Sequence, residues 1–177
     1  MLSEFSRPHL SEAQSAMALT VRQAAVLLAL AAAVPSALAQ PEKPSIKQTE
    51  QATRALATWL ESDDFDPHRL AQVTRHGQLV VPSLIAALEH GPSPAKRELV
   101  RRSLDADYDA LARPSRARSD FVQHYMANFE ALYRIRAAQA LSATGGPAAR
   151  TALEAWVAKA ERDDLRTATR QALEKIK

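Results

Sequence analysis

Between Tyr133 and Lys177 the chain repeats itself, and that repeat constrains the fold more than any other feature. Tyr133-Arg134 is followed 32 residues on by Leu165-Arg166, and Ala140-Leu141 at the same interval by Ala172-Leu173. Gly145-Gly146-Pro147 breaks the chain after the first Ala-Leu pair. Beyond the break, Ala149, Ala152, Leu153, Trp156, Val157 and Ala160 share one helical face. Leu165, Ala168, Thr169, Ala172, Leu173 and Ile176 repeat that spacing behind Asp163-Asp164, where a carboxylate can accept the free N–H groups of a helix start. Paired helices of this length cannot bury their apolar faces alone, so neighbouring units must stack into a right-handed curved solenoid.

The repeat reaches further back. Gly77, Leu84 and Leu88 stand 69 residues before Gly146, Leu153 and Val157. Two units plus a short insertion produce that offset, and the proline-containing connector Arg113–Arg118 is the natural place for the insertion.

At the front, Met17–Arg22 carries one positive charge and leads into the apolar run Ala24–Val34. Pro35, Ser36 and the small-x-small site Ala37-Leu38-Ala39 follow. That order is a secretory signal peptide over residues 1–39, with cleavage expected between Ala39 and Gln40. The apolar run falls short of the ~20 residues a membrane span needs, so an uncleaved anchor is the lesser reading. Residues 1–16, with Glu4 and Glu12, read as an upstream extension, with Met17 the true start. Without cysteine, the exported chain has neither a disulfide framework nor a lipid-modified N-terminus, and its core alone must hold it together. Charges before Gln40 cancel, so the formal +3 stays with the mature part. Export to the periplasm or medium argues against nucleic acid as a partner.

Residues 40–44 form a proline-bounded linker, and one domain fills 45–177. Ser45-x-x-Gln48 has the form of a capping box before a helix carrying Ala52, Leu56, Trp59 and Leu60 inward, ending near Ser62. Asp66-Pro67 opens a short helix running to about His76, with Gly77 as its stop. Val81, Leu84, Ile85 and Leu88 make the inner face of the next. Gly91-Pro92 ends it, and Ser93-Pro94 starts a helix whose inner face is Val100, Leu104, Tyr108 and Leu111. Ser119 is placed to cap a long helix with Phe121, Tyr125, Phe129 and Tyr133 strictly four apart. At that spacing an aromatic stripe reads as core before it reads as a ligand wall. The helix either continues into Arg134–Ala143 or kinks near Ala131–Tyr133. No strand alternation appears, and the fold class is all-α.

These residues carry a family resemblance. Tyr133-Arg134 to Ala140-Leu141 with Gly145-Gly146-Pro147, and Leu165-Arg166-x-Ala168 to Ala172-Leu173, resemble the short HEAT-like repeat of the PBS-lyase type. Tyr133, Gly146 and Trp156 depart from the family's usual residues at those places. The resemblance implies an α-solenoid of about three helical hairpins and a scaffold that binds another protein. It also implies that Arg134 and Arg166 pair with an acid of the neighbouring repeat, Asp163 or Asp164 being available.

No catalytic, metal or cofactor set is expected. His68, His76, His90 and His124 match no zinc spacing, and no His-Glu-x-x-His occurs. Asp63-Asp64-Phe65-Asp66 lacks the glycine and closing glutamate of a calcium loop and reads as an acidic helix start. No phosphate-cradling glycine loop or nucleophile elbow is present. The one concentration of charge is Arg97, Arg101 and Arg102 with Arg113, Arg116 and Arg118. Asp105, Asp107 and Asp109 stand close enough to neutralise it as a solvated face. As a partner-binding site it suits an acidic protein surface, a membrane head-group layer or an anionic glycan. The expected function is an exported, non-catalytic protein-binding scaffold. An envelope enzyme or its accessory subunit, and a membrane-associated stabiliser with an uncleaved N-terminal helix, are the alternatives.

Overall fold

Prolines, glycines and short polar caps decide where each helix begins and ends. The computed structural model describes residues 44–62, 64–112 and 115–176. The expected signal peptide, the linker up to residue 43, Asp63, Arg113 and Pro114 lie outside the described residues. Every regular element among those described is helical: α1 (Ile46–Leu60), α2 (Pro67–Thr74), the 3-10 turn Gly77–Leu79, α3 (Val81–His90), α4 (Pro94–Asp109), α5 (Arg118–Thr144), α6 (Pro147–Lys159) and α7 (Asp163–Lys175). The all-α reading holds.

The caps follow the sequence closely. Gln48 N–H donates to Ser45 Oγ at 3.2 Å while Ser45 N–H donates to Gln48 Oε1 at 2.8 Å, completing a capping box. Asp66 accepts from His68 N–H and Ser93 accepts from Lys96 N–H, each with a proline behind it. In α7, Asp164 Oδ1 accepts from Leu165 N–H at 2.8 Å. Ser119 does not cap α5. The cap is Ala117, without a side-chain hydrogen bond, and Ser119 stands inside the first turn. Arg118 starts the helix early because its guanidinium is drawn back onto Asp105 and Asp109 of α4. The α2 helix stops at Thr74, two residues short of expectation, and the 3-10 turn carries the chain into α3.

The core centres on α5, which lies against α1, α2, α3, α4, α6 and α7. Its C-terminal half supplies Ala137, Ala138, Ala140 and Leu141, all without exposed surface. Leu84 and Leu88 of α3 and Leu153 of α6 are equally buried, and each stabilises the fold by ~1.5–3 kcal/mol through burial. Small residues on α5 let helices approach from several sides. Beyond α5, α3 lies against α6, α6 against α7, and α1 against α2. The apolar faces read for α6 and α7 are the buried ones.

The α4 helix departs from its reading. None of its residues is fully buried, and Leu111, past its end, is exposed. The aromatic stripe on α5 also divides. Tyr133 joins the main core, whereas Phe121 meets Tyr108 of α4 and Tyr125 meets Phe121. The α5 helix is continuous and longer than the core it serves; its first half meets α4, and Arg162 from the start of α7 reaches Ala127 and Asn128.

Candidate functional site

Two concave regions stand out, one on the core and one beyond it. The first is a groove of 680 Å³ lying between the α1–α2 corner, the end of α5, and α7. Its apolar wall is Phe65 with Pro67 and Leu70, and Lys175 stands opposite. Phe65 is set from behind: the Trp59 ring meets it edge-on at 6.4 Å, and the Arg136 guanidinium lies 5.1 Å from its centroid. Trp59 is itself fixed, donating from Nε1 to the Arg136 carbonyl at 2.9 Å. The result is an aromatic ring 47% exposed on a rigid mount. Gln139 and Thr144 also line the groove. Among the described residues the Thr144 hydroxyl is buried with no hydrogen-bond partner, and a buried donor left unpaired costs free energy until something meets it. Such a surface can grip an apolar side chain, with the Gln139 amide beside it to meet a polar group.

The second region is a smaller cavity of 350 Å³ where α4 meets the start of α5. Tyr108, Phe121 and Tyr125 surround it with His124, and Ser115 and Arg116 stand at its edge. The rings interlock, Tyr108 to Phe121 at 5.5 Å, Phe121 to Tyr125 at 4.6 Å and Tyr125 to His124 at 5.3 Å.

The basic residues singled out by sequence are mostly engaged by nearby acids. Arg97 Nε lies 2.9 Å from Glu130 Oε1 of α5, and the same guanidinium donates to the His90 carbonyl at 3.0 Å. Arg101 bridges Glu98 and Asp105, and Arg102 lies 3.2 Å from Glu98. The Arg101 hydrogen bond, opposed by desolvation and aided by the charges of Arg101 and Arg102, holds the Glu98 carboxyl below the usual carboxylate range. Arg118 pairs with Asp109 and Asp105 and covers the Tyr108 ring. Arg116 is exposed, and among the described residues its guanidinium has no partner. Arg113 lies outside those residues. Among the described residues Asp107 enters no ion pair.

Arg134 and Arg166 correct one expectation. Neither pairs with an acid of another repeat. Arg134 reaches Glu130 one turn back in α5, and Arg166 pairs with Asp163 at 2.7 Å in α7. Their common role is different. The Arg134 guanidinium rests on Gly91 at the end of α3, where an added Cβ would come within 2.8 Å of it. Arg166 donates to the Ala160 carbonyl at the end of α6. Each cation thus sits at the negative end of another helix, α3 for Arg134 and α6 for Arg166. An ion pair within the same helix is the shorter route for a carboxylate, which explains the change of partner.

Among the described residues no three of His, Cys, Asp and Glu converge as a metal site would need, and no helix is long and apolar enough to cross a membrane. Compared with protein-family models, curated proteins and solved structures, the chain matches none.

Proposed function

We propose that the chain is an exported, non-catalytic scaffold built from HEAT-like hairpins, which holds an extended segment of another protein in the groove between the α1–α2 corner, α5 and α7. The arrangement of helices supports the repeat reading: α2 and α7 flank α5, while α3 and α6 lie against each other. Gly77 and Gly146, matched by sequence interval, both take positive φ, at 52° and 93°, which favours glycine over other residues. Arg134 and Arg166, matched in the same way, meet the C-terminal ends of α3 and α6, the two helices matched by the 69-residue interval.

The observation that carries the binding reading is Phe65, an exposed ring held by Trp59 and Arg136 at the edge of the groove. Exposed aromatic anchors are what a polypeptide partner uses. The test is capture from envelope extracts by the full chain carrying a C-terminal tag, compared with Phe65→Ser and Gln139→Ala. One stoichiometric partner, captured by the parent chain and lost from both variants without a change in melting, is the expected result. Equal capture by all three would exclude the groove. The N-terminal region is proposed to direct export and to be cleaved before Gln40, and N-terminal sequencing of the exported protein checks this.

A further inference from the structure

The cavity at the α4–α5 corner is separate from the groove and has a different chemistry. Its lining combines the rings of Tyr108, Phe121 and Tyr125 with Leu111, Ser115, Arg116 and His124. Tyr125 is 46% exposed although it belongs to this cluster, so one ring is presented rather than buried. The loop above is pinned: the Tyr108 hydroxyl donates to the Arg116 carbonyl at 2.9 Å, which holds Arg116 at the mouth. Its guanidinium has no partner among the described residues, whereas Arg118 next to it is occupied by Asp105 and Asp109. That pairing also neutralises Asp105 and Asp109. Among the described residues lining the cavity there is no carboxylate or amide. Asn128 Oδ1 accepts from Arg162 at 3.3 Å, and its amide nitrogen lies 3.2 Å from His124 Nε2, which holds the imidazole at the cavity wall.

From this we infer that the corner is a binding site for a small aromatic carboxylate, the ring lying against Tyr125 and Phe121 and the carboxylate meeting Arg116. A volume of 350 Å³ suits a single substituted ring. Planar guanidinium matches planar carboxylate in two parallel hydrogen bonds, and offset or edge-on ring contacts complete the fit. A sugar acid shares the carboxylate but not the match. Its hydroxyls call for side-chain amides and carboxylates, and the lining offers none. The site does not depend on the groove or on any protein partner.

Isothermal titration of the full chain with three probes tests this: 4-hydroxybenzoate, the uncharged 4-hydroxybenzyl alcohol, and galacturonate. Binding of 4-hydroxybenzoate with Kd at or below about 1 mM is expected, and the alcohol and the sugar acid should each bind about tenfold more weakly or worse. Arg116→Gln keeps the backbone carbonyl that Tyr108 uses, and should weaken 4-hydroxybenzoate about tenfold. Tyr125→Ala should weaken it too. Arg102→Gln removes an equal charge outside the cavity and should leave the affinity unchanged. No heat with 4-hydroxybenzoate would overturn the site. Equal affinity for galacturonate would overturn the aromatic assignment, and equal loss in Arg102→Gln would reduce the effect to general charge.

Discussion

The two halves of α5 are built on opposite principles. From Ala131 to Thr144 the helix is lined with small residues, and Ala137, Ala138 and Ala140 have no exposed surface. From Arg118 to Glu130 it carries large rings, yet none of its residues is fully buried. Alanine lets neighbouring helices come close on more than one side, so the C-terminal half is enclosed. Rings four residues apart form one narrow stripe, which meets α4 through Tyr108. Burial here follows the number of neighbours, not the size of the side chain. The enclosed half carries the groove, and the projecting half carries the ringed cavity.

Several changes would break or sharpen that contrast. The largest effect is expected from Leu153→Ala, which opens a cavity against the enclosed half and should cost ~2–5 kcal/mol in denaturant unfolding. A loss below about 0.5 kcal/mol would mean that this face is not core. Next is Gly91→Ala. Its φ of 70° disfavours any side chain, and the added Cβ would displace the Arg134 guanidinium. A melting experiment should show a loss of about 1–2 kcal/mol. Phe121→Ala, in the projecting half, should cost less, about 1 kcal/mol, because that ring is only half-buried. If it costs as much as Leu153→Ala, the contrast between the halves fails.

The smallest effect concerns acid. A hydrogen bond from Arg162, opposed by burial and aided by the Leu165 N–H, holds the Asp164 carboxyl below the usual range. A carboxyl depressed in the folded state stabilises above its unfolded value and loses that contribution as pH falls through the folded one. Asp164→Asn should therefore lower stability at neutral pH by ~0.2–1 kcal/mol. The difference from the parent chain should close as pH drops below about 4. A constant difference from pH 7 to pH 2 would show that the ion pair is not its source.

The sequence made the enclosed half readable and the projecting half misleading, for one reason. The faces of α6 and α7 and the Ala140-Leu141 pair follow a period that any helix wheel reveals. Ala137 and Ala138 were invisible, because alanine is a helix former inside or out and its burial depends on what approaches it. Phe121 and Tyr125 have the spacing of a core stripe, but spacing does not say whether a second helix lies opposite. The groove was hidden more deeply. Phe65, Gln139, Thr144 and Lys175 come from segments far apart in the chain, and no local pattern links them. Buried Arg136 violates the polar-outside rule, and the Phe65 ring lies over its guanidinium. The charges of α4 were legible as a cluster, while their pairing with Glu98, Asp105 and Glu130 needed the geometry of two helices.

Native-state hydrogen exchange along α5 reads the central contrast most directly. Amides exchange at rates set by the local free energy of opening, which rises with burial and tertiary contact. The amides of Ala137–Leu141 should exchange at least about tenfold more slowly than those of Val122–Met126. Uniform protection along the helix, or stronger protection in Val122–Met126, would contradict the division of α5 into an enclosed spine and a projecting arm.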